Sequence, residues 1–298
     1  MEAKLSNKPL FIPPNSLEDA TWAQIKEISD AGLASSVFKV GDMKKIVLNG
    51  TVGTVQFNNY ETYVYIIGID HNKEIEGTGI TFGCFKDKDG KDIALIDNNY
   101  NIYSTNGTKY FNMNHWGNYN YGGWAGCDLR YDILGSTDTA PSGYGSAATI
   151  SRVGYNASAT CATNPVTNTL MAALPSDLRS VMKPMTIYTN NTGGSGGDDA
   201  SYITKTTDHL PLLAEYEIFG TRKYANSFEQ NYQAQYAYYS AGNSKVKYRH
   251  SATSSTAWWW ERSPDYNGNI VFCHVYENGN ATYTYTWFSL GLAPIFRV

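Results

Sequence analysis

Hydrophobic positions first keep a helical period at Thr21-Trp22-Ala23-Gln24. A capping-box pattern there opens a segment that sets Trp22, Ile25 and Ile28 along one side and stops near Gly32. Short runs with strand character follow at 51–57, 63–69 and 80–85, with turn chemistry at Asn49-Gly50 and Asp89-Gly90. Trp124, Cys127, Tyr131 and Leu134 return to helical spacing and end at Gly135. From 136 to 168, Gly, Ser, Thr and Asn prevail without periodicity, which predicts a long surface excursion. Helical segments at 170–174 and 178–182 are separated by Pro175, and a strand at 185–188 leads into the Gly-rich stretch 190–197, expected to be flexible. Read as a strand, 213–219 places Glu215 and Glu217 on one solvated face. Ser227 and Gln230 form a second capping-box pattern ahead of Phe228, Tyr232, Gln235 and Tyr239, a helix predicted to end at Gly242. Strands close the chain at 269–276, 281–288 and 293–298, the first two joined by an Asn278-Gly279 hairpin turn.

No internal repeat or linker interrupts this pattern. It predicts an α+β fold of mixed short helices and antiparallel sheet with insertions, as a single domain over residues 17–298. Residues 1–16, with three prolines and no periodicity, suit a tether or an oligomer contact.

Composition narrows the function. With 298 residues, 42% of them hydrophobic, the chain can bury an ordinary core. Charge is sparse and the formal net charge is −4, so no basic face is available for phosphates, and nucleic acid is excluded as the expected partner. The N-terminus has no signal-peptide pattern and no apolar run is long enough to span a bilayer, so membrane insertion is not expected. Synthesis in a cytosol would then leave Cys84, Cys127, Cys161 and Cys273 as reduced thiols, read as small core residues.

Sites for chemistry are scarce. Asp87, Asp89 and Asp92 around Gly90, and Asp265, Asn267 and Asn269 around Gly268, have the look of calcium loops, but neither continues to a bidentate Glu, so both are read as turns. Five histidines show no zinc spacing, no nucleophile elbow or phosphate loop is present, and no metal or cofactor is expected. Glu215 and Glu217 are a conceivable carboxylate pair for glycoside cleavage, though a solvated face explains them without chemistry.

The abundant residue is tyrosine, 24 in all, set among Gly, Ser, Asn and Thr. That mixture is the palette of an antibody paratope, in which Tyr gives contact area at low entropy cost and the small polar residues adapt their hydrogen bonds. It is densest near the C-terminus, where Thr282, Thr284 and Thr286 alternate with Tyr283, Tyr285 and Trp287. A core strand would use Val, Ile or Leu more cheaply. We therefore expect a ligand-binding surface made by Tyr266, Asn267, Asn269, His274, Tyr276, Thr282, Thr284, Tyr285 and Trp287, solvent-facing and clustered.

At these residues the chain resembles a known family. Trp258-Trp259-Trp260-Glu261-Arg262-Ser263-Pro264, followed by Gly291-Leu292-Ala293-Pro294-Ile295-Phe296-Arg297-Val298, is similar to the closing motif of a family of gut-bacterial phages and prophages described only as a domain of unknown function. Tyr63-Val64-Tyr65-Ile66-Ile67-Gly68-Ile69-Asp70-His71-Asn72, Gly122-Gly123-Trp124-Ala125-Gly126-Cys127-Asp128-Leu129-Arg130-Tyr131 and Leu174-Pro175-Ser176-Asp177-Leu178-Arg179 resemble its other signatures. Its members resemble variable proteins of diversity-generating retroelements, whose 3′ coding ends are rewritten by error-prone reverse transcription at adenines. The resemblance implies a C-type-lectin-like fold with the mutable positions, at about 251–298, displayed on its binding face. Adenine-rich AAC or AAT codons give rise to every residue between Pro264 and Ser289 except Glu277 and Trp287. The Glu-Pro-Asn, Gln-Pro-Asp and Trp-Asn-Asp strings of calcium-dependent lectins are absent, and so is the reactive cysteine pair of formylglycine-generating enzymes.

The resemblance thus implies a non-enzymatic receptor-binding protein with a diversifiable paratope for a bacterial surface protein or glycan. It would sit in a phage virion as a tail protein for host attachment, joined through its N-terminus or as a homo-oligomer. The alternative is a carbohydrate-binding or carbohydrate-active module of a bacterial cell surface. Glu261 and Arg297, one in each closing motif, are expected to be structural and paired with each other.

Overall fold

The capping box at Thr21 forms: its backbone N–H donates to the Gln24 side chain, and the Gln24 N–H donates to Thr21 Oγ1. Two donors that a helix start leaves orphaned are thereby satisfied, and the helix runs over Trp22–Asp30. Trp22, Ile25 and Ile28 are buried, and Trp22 packs edge-on against Phe82 and Phe296, with ring centroids 5.5 and 6.0 Å away. The first helix thus meets the last strand. The computed structural model describes residues 12–104, 107–139 and 158–298; most of the 1–16 tether and the centre of the 136–168 excursion lie outside the described residues.

Among them are twelve strands: β1 Met43–Val52, β2 Val55–Ile69, β3 Ile80–Lys86, β4 Ile93–Ala94, β5 Met185–Asn190, β6 Ile203–Asp208, β7 Lys247–Arg249, β8 Ala252–Ala257, β9 Trp259–Pro264, β10 Val271–Val275, β11 Ala281–Tyr285 and β12 Ile295–Arg297. The central sheet has the order β1-β2-β3-β12 and is antiparallel throughout. A second sheet, β11-β10-β9, carries the C-terminal hairpin; β4-β7-β8 and the pair β5-β6 complete the set. Short helices and antiparallel sheets are therefore combined as α+β, as the sequence pattern predicts. Among the described residues no helix is long and apolar enough to cross a membrane.

Several local readings are corrected. The first hairpin reverses between Val52 and Val55, and Asn49-Gly50 lies inside β1, where the register slips between Leu48 and Gly50. Gly53 makes that reversal possible: its φ is +57°, and a Cβ there would stand 2.4 Å from the Lys109 carbonyl oxygen. The segment 213–219 is no strand. It forms a helix at Glu215–Phe219, with both glutamates buried. The helix read from Ser227 to Gly242 is instead a 3₁₀ turn at Ser227–Asn231, capped by Asn226, and a separate helix at Ala237–Ser240.

The Gly-rich loop at 190–197 begins packed, not flexible: Asn190, Asn191, Gly193 and Gly194 are buried. The Asn190 side chain accepts from the Thr192 and Gly193 N–H groups, and Asn120 accepts from Gly194. A Cβ on Gly193 would fall 1.9 Å from the Asn120 carbonyl oxygen, so glycine serves close approach there.

The expected Glu261–Arg297 pair does not form. Arg297 Nη2 donates to the Glu76, Gly77 and Thr78 carbonyls at 2.6–2.8 Å, and its Nε lies 3.6 Å from the Glu76 carboxylate. Glu261 is fully buried, and neither of its oxygens has a hydrogen-bond partner among the described residues. Its neighbour Arg262 carries the ion pair of this strand. Arg262 makes two bonds to Glu217, at 2.6 and 2.8 Å, and further bonds to Leu212 O and Thr189 Oγ1.

Candidate binding surface on the C-terminal hairpin

β10 is buried along its whole length between two unlike neighbours. On one side lies β9, buried throughout; on the other lies β11, which ends the sheet with every residue at least partly exposed. The register pairs Thr282 with His274, Tyr283 with Cys273 and Thr284 with Phe272. Because side chains alternate along a strand, Thr282 and Thr284 share a face with His274, while Tyr283 and Tyr285 occupy the opposite one.

The nine predicted residues are therefore not all on one surface. Asn267 and Asn269 are exposed and Tyr266 half-buried in the β9–β10 turn. The Asp265 carboxylate accepts from the Asn267 N–H at 2.8 Å, as in an ordinary Asx turn. Tyr285 is 45% exposed and Trp287 half-buried at the same end of the hairpin. Thr282 and Thr284 are half-buried on the other face, and Tyr276, beyond β10, leans on Trp258 with ring centroids 4.7 Å apart.

His274 corrects the expectation outright. It is 1% exposed, stacked on Trp258 and edge-on to Trp260. Burial pushes its pKa down to about 3, so the ring is neutral. Its place is in the core.

Pattern reading also missed residues that build the surface. Tyr283 was left out of the nine, yet at 48% it is the most exposed side chain of β11. Its ring meets Tyr224 edge-on at 4.9 Å, and the Arg222 guanidinium lies 4.2 Å from the centre of the Tyr266 ring. Lys223, Tyr224, Asp265, Tyr266, Asn267 and Tyr283 line a cleft of about 280 Å³. Beside this cleft Tyr103 stands edge-on to Tyr285 and Trp287, and Ile102 and Trp116 are also exposed. The loop bearing Tyr103 is tied to the hairpin by its backbone: Asn101 N–H donates to Ser289 O and Ser104 N–H to Trp287 O. No periodicity marks the segments around 103 and 222. Only the aromatic and cationic residues of these segments were available as a signal.

The arrangement offers aromatic faces, hydroxyls and amides to a ligand. The Asp87 carboxylate is engaged by the N–H groups of Asp89 and Lys91 within its own turn, and Asp92 is engaged by Lys86. Among the described residues, Asp138, Cys161 and His209 form the group whose ligand atoms converge closely enough to hold a metal ion.

Comparison with curated proteins gives no significant match, and comparison with solved structures gives none either. A family described as Domain of unknown function (DUF6273) matches residues 91–298, more than half of the chain and all of the hairpin. The chain belongs to the DUF6273 family.

Proposed function

We propose that this chain is a non-enzymatic binding protein that presents a diversifiable paratope on a C-type-lectin-like scaffold, and that it serves a bacteriophage tail in attachment to its host. The observation that carries the reading is the edge strand β11. Its tyrosines are held in place by main-chain pairing to a buried strand, yet stand about half exposed. Rigid aromatic contact area backed by small polar residues is how paratopes bind. An antiparallel central sheet closed by the chain's last strand, with short helices and long loops around it, supports the lectin-like reading. The ligand would be a protein or glycan of the bacterial surface, and residues 1–16 the attachment to the tail or to further copies of the chain.

Labelled protein applied to a panel of gut-bacterial isolates is expected to stain a subset of them. The triple variant Y283S/Y285S/W287S should lose that staining while keeping its fold. Competition by soluble glycans, or loss after protease treatment of the cells, identifies the ligand class. Staining unchanged in the triple variant would overturn the proposal. A reverse transcriptase and an imperfect repeat of the segment from about Ser251 onward, found beside the coding region, are expected to accompany it.

A further inference from the structure

Asp138, Cys161 and His209 come from three separated segments, yet each places a ligand atom within 4.8 Å of the others. We propose that they form a zinc site. Zinc is borderline-soft and takes thiolate, imidazole and carboxylate together, usually in a tetrahedron. Ligand atoms around a tetrahedral zinc stand about 3.4–3.7 Å apart, from its usual bond lengths.

The surroundings fit a site that is held rather than accidental. His209 Nδ1 is buried and has no hydrogen-bond partner among the described residues, an orphan that a metal or its bound water would satisfy. The His209 backbone N–H donates to Ser136 O at 2.6 Å, fixing the ring beside the segment that carries Asp138. Next along the chain, Asp208 is completely buried and engaged by Arg130, Ser136, Thr206 and Trp124, so His209 stands on a rigid base. The Cys161 N–H donates to the Asp138 carboxylate, which brings two ligands together across a separation of 23 residues. The Cys161 thiol is buried and donates to Gly135 O at 3.4 Å.

On binding, the thiol loses its proton to solvent and the thiolate, the neutral imidazole and the carboxylate coordinate zinc, with water in the fourth position. The metal joins Asp138 and Cys161 to His209 at the end of β6. Helical or CxxC spacing gave no hint of it, because the ligands are joined only by the fold.

Cobalt(II) is the probe. The full-length chain, stripped with chelator and titrated with cobalt(II) chloride, should bind one equivalent, showing a thiolate charge-transfer band in the near ultraviolet and visible bands of tetrahedral intensity. Zinc should displace both. Cys161→Ser is expected to abolish the charge-transfer band and Cys127→Ser to preserve it, while His209→Ala weakens cobalt binding at least about tenfold. Should Cys161→Ser fail to fold, alkylation of the wild-type chain decides: zinc must protect Cys161, identified by mass spectrometry, from iodoacetamide. Absence of a thiolate band, its survival in Cys161→Ser, or equal alkylation of Cys161 with and without zinc overturns the site.

Discussion

β9 and β11 flank the same strand in the same small sheet, and their side chains have opposite fates. In β9 Trp259 donates its indole N–H to Lys245 O, Trp260 to Phe111 O, Arg262 binds Glu217 in two places and Ser263 donates to Glu229. Every residue is buried. In β11 all five residues are at least partly exposed, and ring contacts tie Tyr283 and Tyr285 to the rest of the described chain. Both strands are made by main-chain ladders, which are indifferent to side-chain identity. The difference teaches where sequence is free. A strand held mainly by its backbone can exchange its side chains with little change to the fold, and a strand whose side chains pin neighbouring segments cannot.

The sharpest way to break the contrast is to cut the ion pair of β9. Arg262→Met leaves the buried Glu217 carboxylate without its cation, and loss of one partner of a buried pair costs about 3–5 kcal/mol. Urea unfolding should show a fall of that size, a large fraction of the about 5–15 kcal/mol by which a native domain is stable. A loss of unfolding free energy below about 1 kcal/mol would mean that β9 is no anchor.

What the sequence revealed follows the same division. The Trp22–Asp30 helix was legible because its capping box and apolar side are local, and so was the hairpin at Asn278-Gly279, where Gly279 adopts a φ of +84°. The Glu215–Phe219 helix was not. Five residues are too few to show a helical period, and Glu217 acts as its cap by accepting from the Ala214 N–H at 2.9 Å. Alternation in 282–287 revealed the two faces of β11, but which face is open depends on distant Tyr224 and Tyr103. His274 was misjudged because only Trp258 and Trp260, brought together by β9–β10 pairing, decide that it is buried.

Buried titratable groups also sort with the anchor and its neighbour, so pH sharpens the comparison. Burial, reinforced by Glu215 and Glu229, pushes the Glu261 carboxyl well above the usual carboxylate range. The folded state therefore holds a proton that the unfolded chain releases: its stabilisation is complete below the unfolded carboxylate pKa and is lost as pH rises toward the folded value. His274 works in the other sense. With its pKa pushed down to about 3, its contribution is complete above the ordinary histidine range and is lost as pH falls from there toward 3, alongside that of His250, pushed down to about 4. Each proton contributes a slope of about 1.4 kcal/mol per pH unit within its window. Urea midpoints measured from pH 4 to 8.5 should trace a dome. Glu261→Gln should flatten its alkaline side and His274→Phe should soften its acid side; unchanged slopes in both variants would show that neither group is held in its unusual protonation state.

The smallest expected effect on stability is the one that matters most for binding. Tyr283 and Tyr285 are 48% and 45% exposed, and each is attached by ring contacts, worth about 0.5–1.5 kcal/mol per aromatic pair. With three such pairs between them and nearly half of each ring in solvent, Y283S/Y285S should cost about 1.5–3 kcal/mol in guanidinium unfolding, no more than Arg262→Met. The β10–β11 ladder survives because serine keeps every main-chain donor and acceptor. Affinity should respond out of proportion to stability, since a few aromatic anchors carry most of the energy of a paratope. Measured together, a loss above about 4 kcal/mol in the double variant would make β11 a second anchor and end the distinction from β9. A small loss of stability joined to loss of cell staining would locate the freedom to vary in the strand held mainly by its backbone.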